Sequence, residues 1–247
     1  MSLLKFPKSL IMGKNNFIAS SVKIAENVII GNNNKIYDGT VIYPNTVIGD
    51  NNVILNNNIL GEHPVHSKDN FQEKIHNGLS IGDHNFLHVN NLIFSGYEKK
   101  TIIKNYNQIL AESHIGHDTH IHNHVTLYPR VITGGLSTLF DYSTIGMQSS
   151  IQQNSVLGHY SMIGMGNITS HNVFPFFIYF NQKYLRVNKI KIPEELQVQQ
   201  HQESLQLIIK ELKKNNCDHS ILNKFNLPEN ILNIINQFLQ KIVIKKI

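Results

Sequence analysis

The 247-residue chain has no tryptophan, a single cysteine and only 16% charged residues. The lone thiol, Cys217, excludes an internal disulfide and lies outside any metal-ligand spacing. No apolar run reaches 18 residues, so no transmembrane segment is expected. Residues 1–13 hold two lysines and a short apolar patch without the pattern of a signal peptide, and a cytoplasmic protein is expected. The net charge of +5 is too small to point to nucleic acid, and it suits an acidic partner such as a phosphate or an acidic protein.

What the chain does have is a beat of six. Ile18, Ile24, Ile30, Ile36, Ile42, Ile48, Ile54 and Leu60 are branched aliphatics at a constant spacing. The beat returns at Ile81, Leu87 and Ile93, then runs from Ile103 to Ile163 with Thr133 as its one non-aliphatic member. Six is neither a helical period nor simple strand alternation. It is the period of a parallel β-helix, in which six residues make a short strand and a corner, three such units close one coil, and the beat residue points inward. Glycine follows the beat at Gly31, Gly49, Gly61, Gly82, Gly116, Gly146, Gly158 and Gly164, and asparagines crowd the same stretches. Both residue types are expected to supply positive φ at the corners.

The expected organisation is a β-helix over 1–188 and a helical region over 189–247. The beat fails over 61–80, which is read as a loop leaving the coil, and again briefly over 95–100. Such loops often carry function. The aromatics Phe174, Phe176, Phe177, Tyr179 and Phe180 around Pro175 are expected to close the stack, whose end otherwise exposes unpaired strand edges. Proline and acids at 193–195 predict a helix start, and a second helix is predicted after Pro228. Their apolar stripes are too thin for a separate core and require packing on the coil or on a neighbouring subunit.

The segment Ser113-His114-Ile115-Gly116-His117-Asp118 concentrates the candidate chemistry. Ile115 is a beat residue, so His114 and His117 flank a corner and can face outward, where an imidazole can act as a general base near neutral pH. The density of His114, His117, His120, His122 and His124 also raises a metal site. Side chains on a six-residue coil splay around its corners, however, and no metal is expected.

The hexapeptide beat, the His-Ile-Gly-His-Asp segment, the loop after Leu60-Gly61-Glu62 and the two-helix tail resemble the UDP-N-acetylglucosamine O-acyltransferases of lipid A biosynthesis. The resemblance implies a mainly β fold, a left-handed parallel β-helix with a C-terminal α-helical tail, assembled as a homotrimer with substrate bound between subunits. It implies transfer of a 3-hydroxyacyl group from acyl carrier protein to the sugar of UDP-N-acetylglucosamine. His117 would be the general base, Asp118 its orienting carboxylate and Gly135 the source of an oxyanion-binding N–H. His114, Lys68, Gln153 and Asn188 match substrate-contacting positions, and Met165 falls where the family sets acyl-chain length, which implies a short or medium chain. No cofactor is implied; the acyl-carrier-protein or coenzyme A thioester is a cosubstrate. The chain departs from the family at Leu136 and Gln152, where histidines are usual, and at His66, where an aspartate helps hold the sugar. The paired arginines of the tail are missing, with Lys189 and Lys191 nearest. These changes keep open an N-acyltransferase acting on a UDP- or dTDP-linked amino sugar in surface-polysaccharide synthesis. The repeat alone also fits a non-catalytic scaffold.

Overall fold

The computed structural model describes residues 7–64, 76–215 and 219–242. Most strands are two or three residues long and form three sheets of eight, ten and eight strands, the faces of a triangular coil, parallel throughout except for the last strand of the ten. Pairing follows the beat: Ile103 lies against Ile121, Ile121 against Leu139, and Leu139 against Leu157. Each beat side chain therefore stacks on its equivalent one coil away. From Ile30 to Ile163 these residues are buried, Thr133 included, and they form one continuous core. Ile18 and Ile24, in the outermost described coil, are half-buried because packing reaches them from one side.

The corners work differently from the sequence expectation for glycine. Positive φ falls three residues after the beat, at Asn33, Asn51, Asn57, Asn90 and Asn154 among others, as expected for asparagine. Of the glycines that follow the beat, only Gly61 has positive φ. The rest are glycine because the next coil is too close for a side chain. A Cβ at Gly31 would lie 2.6 Å from the Gly49 carbonyl oxygen, and one at Gly116 would lie 2.5 Å from the Gly135 nitrogen. Inside the coil a buried asparagine ladder satisfies the corner amides. Asn52 N–H donates to Asn34 (2.9 Å), Asn85 N–H to Asn52 (2.8 Å) and Asn107 N–H to Asn85 (2.9 Å).

On the corner that carries Asn33 and Asn51, the left-handed position is aromatic from His84 onward. His84, Tyr106, His124, Tyr142, Tyr160 and Phe176 stack in a single column, with ring centroids 4.6–5.9 Å apart and planes within 8° of parallel. Stacking of neighbouring rings offsets the cost of holding bulky residues at φ near 60°.

The strand Phe177–Phe180 ends the coil and turns back on Lys183–Val187 as an antiparallel hairpin. Phe174, Phe176 and Phe177 are fully buried in a second core with the helices, as expected for a cap. Helix α1 spans Gln202–Lys214 and α2 spans Glu229–Lys241. The first α-helix thus begins eight residues later than the proline and acids at 193–195 suggested. Those residues open a short 3-10 turn that Gln197 breaks by adopting a left-handed conformation. Phe238 of α2 packs edge-on against Phe174, and Phe140 and Val156 of the coil join the same core. The helices therefore pack on the coil.

Where α2 meets the coil, His120, His122, Phe140 and His159 stack in series. Burial lowers the His120 pKa to about 4, with Lys104 and Lys241 adding repulsion, and that of His122 to about 3, with His120 and Lys104 adding repulsion; Asp141 opposes both shifts. His159, which faces Asp141 at 3.8 Å, is lowered in the same direction by burial. These imidazoles are neutral in the folded chain, whereas the unfolded chain takes up protons near pH 6.5. Their contribution to stability is whole above pH 6.5 and is lost as pH falls toward 4 and 3. Calorimetry should show a melting temperature that drops steadily from pH 7 to pH 4.5, and a His120→Gln, His122→Gln double variant should flatten that slope.

Candidate active site

His117, Gly135 and Gln153 are 18 residues apart and occupy one corner in three successive coils. His117 follows the strand His114–Ile115, and the buried Ile115 anchors that strand in the core. The His117 imidazole is 27% exposed, while the Asp118 carboxylate beside it is fully buried. Nδ1 of His117 lies 2.6 Å from Oδ2 of Asp118. A carboxylate can only accept, so the proton sits on Nδ1 and the Nε2 lone pair is left free for other chemistry.

The face of the ring, at its Nε2 edge, lies over Gly135. A Cβ added to Gly135 would lie 2.7 Å from His117 Nε2 and 2.8 Å from Cε1. Its neighbours in sequence are engaged: Gly134 N–H donates to Ile151 and Leu136 N–H to His117. Among the described residues, none accepts the Gly135 N–H. The equivalent amides on the neighbouring corner donate to Asp or Asn side chains, as Asn123 N–H does to Asp141. Gln153 occupies the acceptor's place here, and it is exposed. A base nitrogen and an unengaged backbone donor therefore sit side by side at a partly open corner.

The other expected residues are distributed as follows. His114 is half-buried on the same sheet face, its ring 5.1 Å from Phe94, with its pKa lowered by burial. Met165 is 68% exposed at the corner on the opposite edge of that face. Ile132, Met147 and Ile168, also exposed, lie on this face and edge. Asn188 is buried away from His117, donating to Tyr160 O (2.9 Å) and accepting from Ile190 N–H (3.1 Å). Within one chain it does not join the site. His66 and Lys68 lie outside the described residues. Among the described residues no three His, Cys, Asp or Glu side chains gather as a metal site, and His124 is part of the aromatic column.

The sequence did not reveal what holds Asp118. Its carboxylate accepts the backbone N–H of Tyr97 (3.1 Å), of Glu98 (2.9 Å) and of Lys99. These amides belong to the second break in the beat, over 95–100. The break itself was visible, but amides leave no mark in a sequence. The long loop is shorter at its base than expected, because its flanking strands run through Glu62 and resume at Leu79.

Residues 10–44 and 27–62 match the bacterial transferase hexapeptide family (six repeats). An acyl-(acyl-carrier-protein)–UDP-N-acetylglucosamine O-acyltransferase of Stutzerimonas stutzeri is 31% identical over 105 residues, 41% of each chain. That of Pseudomonas paraeruginosa is 32% identical over 98 residues, 38% of each. The matched stretch thus spans about two-fifths of these relatives. Among solved structures, the UDP-N-acetylglucosamine acyltransferase from Campylobacter jejuni superposes with a TM-score of 0.79 at 22% identity, covering 96% of both chains. The Francisella novicida enzyme gives 0.74 at 21% identity over 88% of this chain and 87% of its own. The left-handed parallel β-helix expected from the sequence is the fold of this chain. No helix among the described residues is long and apolar enough to cross a membrane.

Proposed function

We propose that this hexapeptide-repeat chain, with the fold of the UDP-N-acetylglucosamine acyltransferases, is itself an acyltransferase with a nucleotide sugar as acceptor. The donor is an acyl thioester on acyl carrier protein. The observation that carries the reading is the pairing of a free His117 Nε2 with an unengaged Gly135 N–H at one corner. Nε2 takes the proton from an acceptor hydroxyl as its oxygen attacks the thioester carbonyl carbon. The Gly135 N–H holds the developing oxyanion. The C–S bond then breaks, and the proton passes from the imidazolium to the leaving thiolate. Asp118 keeps the proton on Nδ1 and offsets the positive charge formed on the ring.

UDP-N-acetylglucosamine is the proposed acceptor, by likeness to the relatives. The substitutions at Leu136, Gln152 and His66 favour testing a UDP- or dTDP-linked amino sugar beside it. Incubation of the purified protein with acyl carrier protein thioester and each acceptor, followed by mass spectrometry, should yield the O-acyl product from UDP-N-acetylglucosamine. Product only from the amino sugar would move the chain to N-acyl transfer. No product from either, with no thermal stabilisation by any of these ligands, would sink the enzymatic reading and favour a scaffold.

Met165 stands at the edge of the apolar face and is the proposed stop for the acyl chain. Met165→Gly should shift the preferred donor to longer chains, since accommodating or rejecting each surplus methylene is worth roughly tenfold or more. Competition among thioesters of graded length measures this, and an unchanged preference would assign Met165 to packing alone. The assembly is a proposed homotrimer with the site in the groove between subunits. Light scattering should give three times 28.2 kDa.

A further inference from the structure

The loop over 95–100 interrupts the coil one turn before His117, and its backbone wraps the Asp118 carboxylate. Oδ2 takes the Tyr97 N–H together with the His117 Nδ1–H, and Oδ1 takes the N–H groups of Glu98 and Lys99. Four donors leave this buried carboxylate little freedom to rotate. The Asp118 N–H is held in turn by Thr101 Oγ1 at 2.8 Å. The Tyr97 ring stands edge-on to the His117 imidazole at 6.2 Å.

The loop is itself fastened. Its two ends, Gly96 N–H and Thr101 N–H, both donate to the carbonyl of Gly78, and Ser95 N–H donates to Glu62. Gly96 has no room for a side chain, since a Cβ there would meet the Lys99 carbonyl. A plain hexapeptide turn would have closed the coil here. The extra residues instead turn three consecutive amides toward one carboxylate.

We propose that the 97–99 backbone is a positioning element. It locks Asp118, and through Asp118 it fixes the tautomer and orientation of His117. The side chains of 98 and 99 are incidental to this role, and the amide N–H groups are what matter. The kinetic part of the test rests on the acyltransferase reading, whereas the spectroscopic part reads the His117–Asp118 pair without turnover.

Glu98→Pro deletes one amide donor, while Glu98→Ala deletes the side chain and keeps the N–H. The same N–H is removed without a ring by an α-hydroxy acid at position 98, which turns the amide into an ester. Each variant is compared with the parent by kcat, KM and the downfield proton signal of His117 Nδ1–H, assigned by its loss in His117→Asn. The proline and ester variants should lose at least tenfold in kcat, hold KM within about twofold, and lose or broaden the downfield signal. Glu98→Ala should retain both the activity and the signal. If the proline variant fails to assemble, the ester variant decides. A parental signal and kcat in the ester variant would overturn the proposal. So would an alanine variant that falls as far as the ester, since the side chain would then be responsible. If the parent turned over none of the acceptors, the acyltransferase reading would fall, while loss of the signal in the ester variant would still uphold the positioning role.

Discussion

His117→Asn abolishes acyl transfer almost completely, lowering kcat by about 10²–10⁴-fold, the range that one positioned general base supplies. The melting temperature should stay near that of the parent. The imidazole stands at the coil surface, and the core beneath it is made by Ile115 and Thr133, which the substitution leaves in place. Asparagine keeps a donor for Asp118 at similar reach but offers no basic nitrogen. Steady-state kinetics with acyl carrier protein thioester, run beside a melting curve, separates the two effects. Retained turnover would remove His117 from the mechanism, and a collapse in melting temperature would assign it to the fold.

Gly135→Ala is the second large effect, expected at about 10²-fold in kcat. A methyl group at this position meets the His117 ring at 2.7–3.0 Å on three of its atoms. The ring has to swing away from its place beside the amide, or the corner has to shift. The Gly135 backbone is not in the left-handed region, so alanine costs little in conformation and the coil should assemble normally. The substitution keeps the N–H, so it tests the geometry between base and donor. Activity within twofold of the parent would mean that the two groups do not act on the same reacting carbonyl.

The coil was legible because its instruction is one side chain in six. Ile103, Ile109 and Ile115 each declare a strand, a face and an inward direction at once. The corner was read less well, and the reason is physical. Glycine after the beat suggested positive φ, but in most coils it answers a steric demand from the next turn 18 residues away, which only a stacked structure exposes. The aromatic column was present in the sequence as Tyr106, His124, Tyr142 and Tyr160 at a spacing of 18. Nothing in one dimension said that these rings would share an axis. The start of α1 was misplaced because proline and acids mark a helix start locally, whereas Gln197 breaks that turn with a conformation no propensity favours. His117 and Asp118 were found by motif, and Gly135 and Gln153 by counting from it. The amides of 97–99 could not have been found that way, since every residue but proline has one.

The 18-residue coil also makes this site a matter of arithmetic. His117, Gly135 and Gln153 meet because the chain counts the same number of residues between them, and no distant packing is needed to bring them together. A single residue inserted within a strand between 117 and 153 would rotate every later side chain one place around the triangle. Gln153 would then leave the corner and inward aliphatics would turn to solvent. Insertions are harmless only where they loop out and return the chain in phase. The chain resumes in phase at Leu79 after Glu62 and at Thr101 after Phe94, and both crossings lie at the corner where the site is built. Changes in this protein's chemistry are therefore expected to come as whole coils, as excursions at corners, or as one-for-one substitutions, while single-residue insertions within a strand should be rejected.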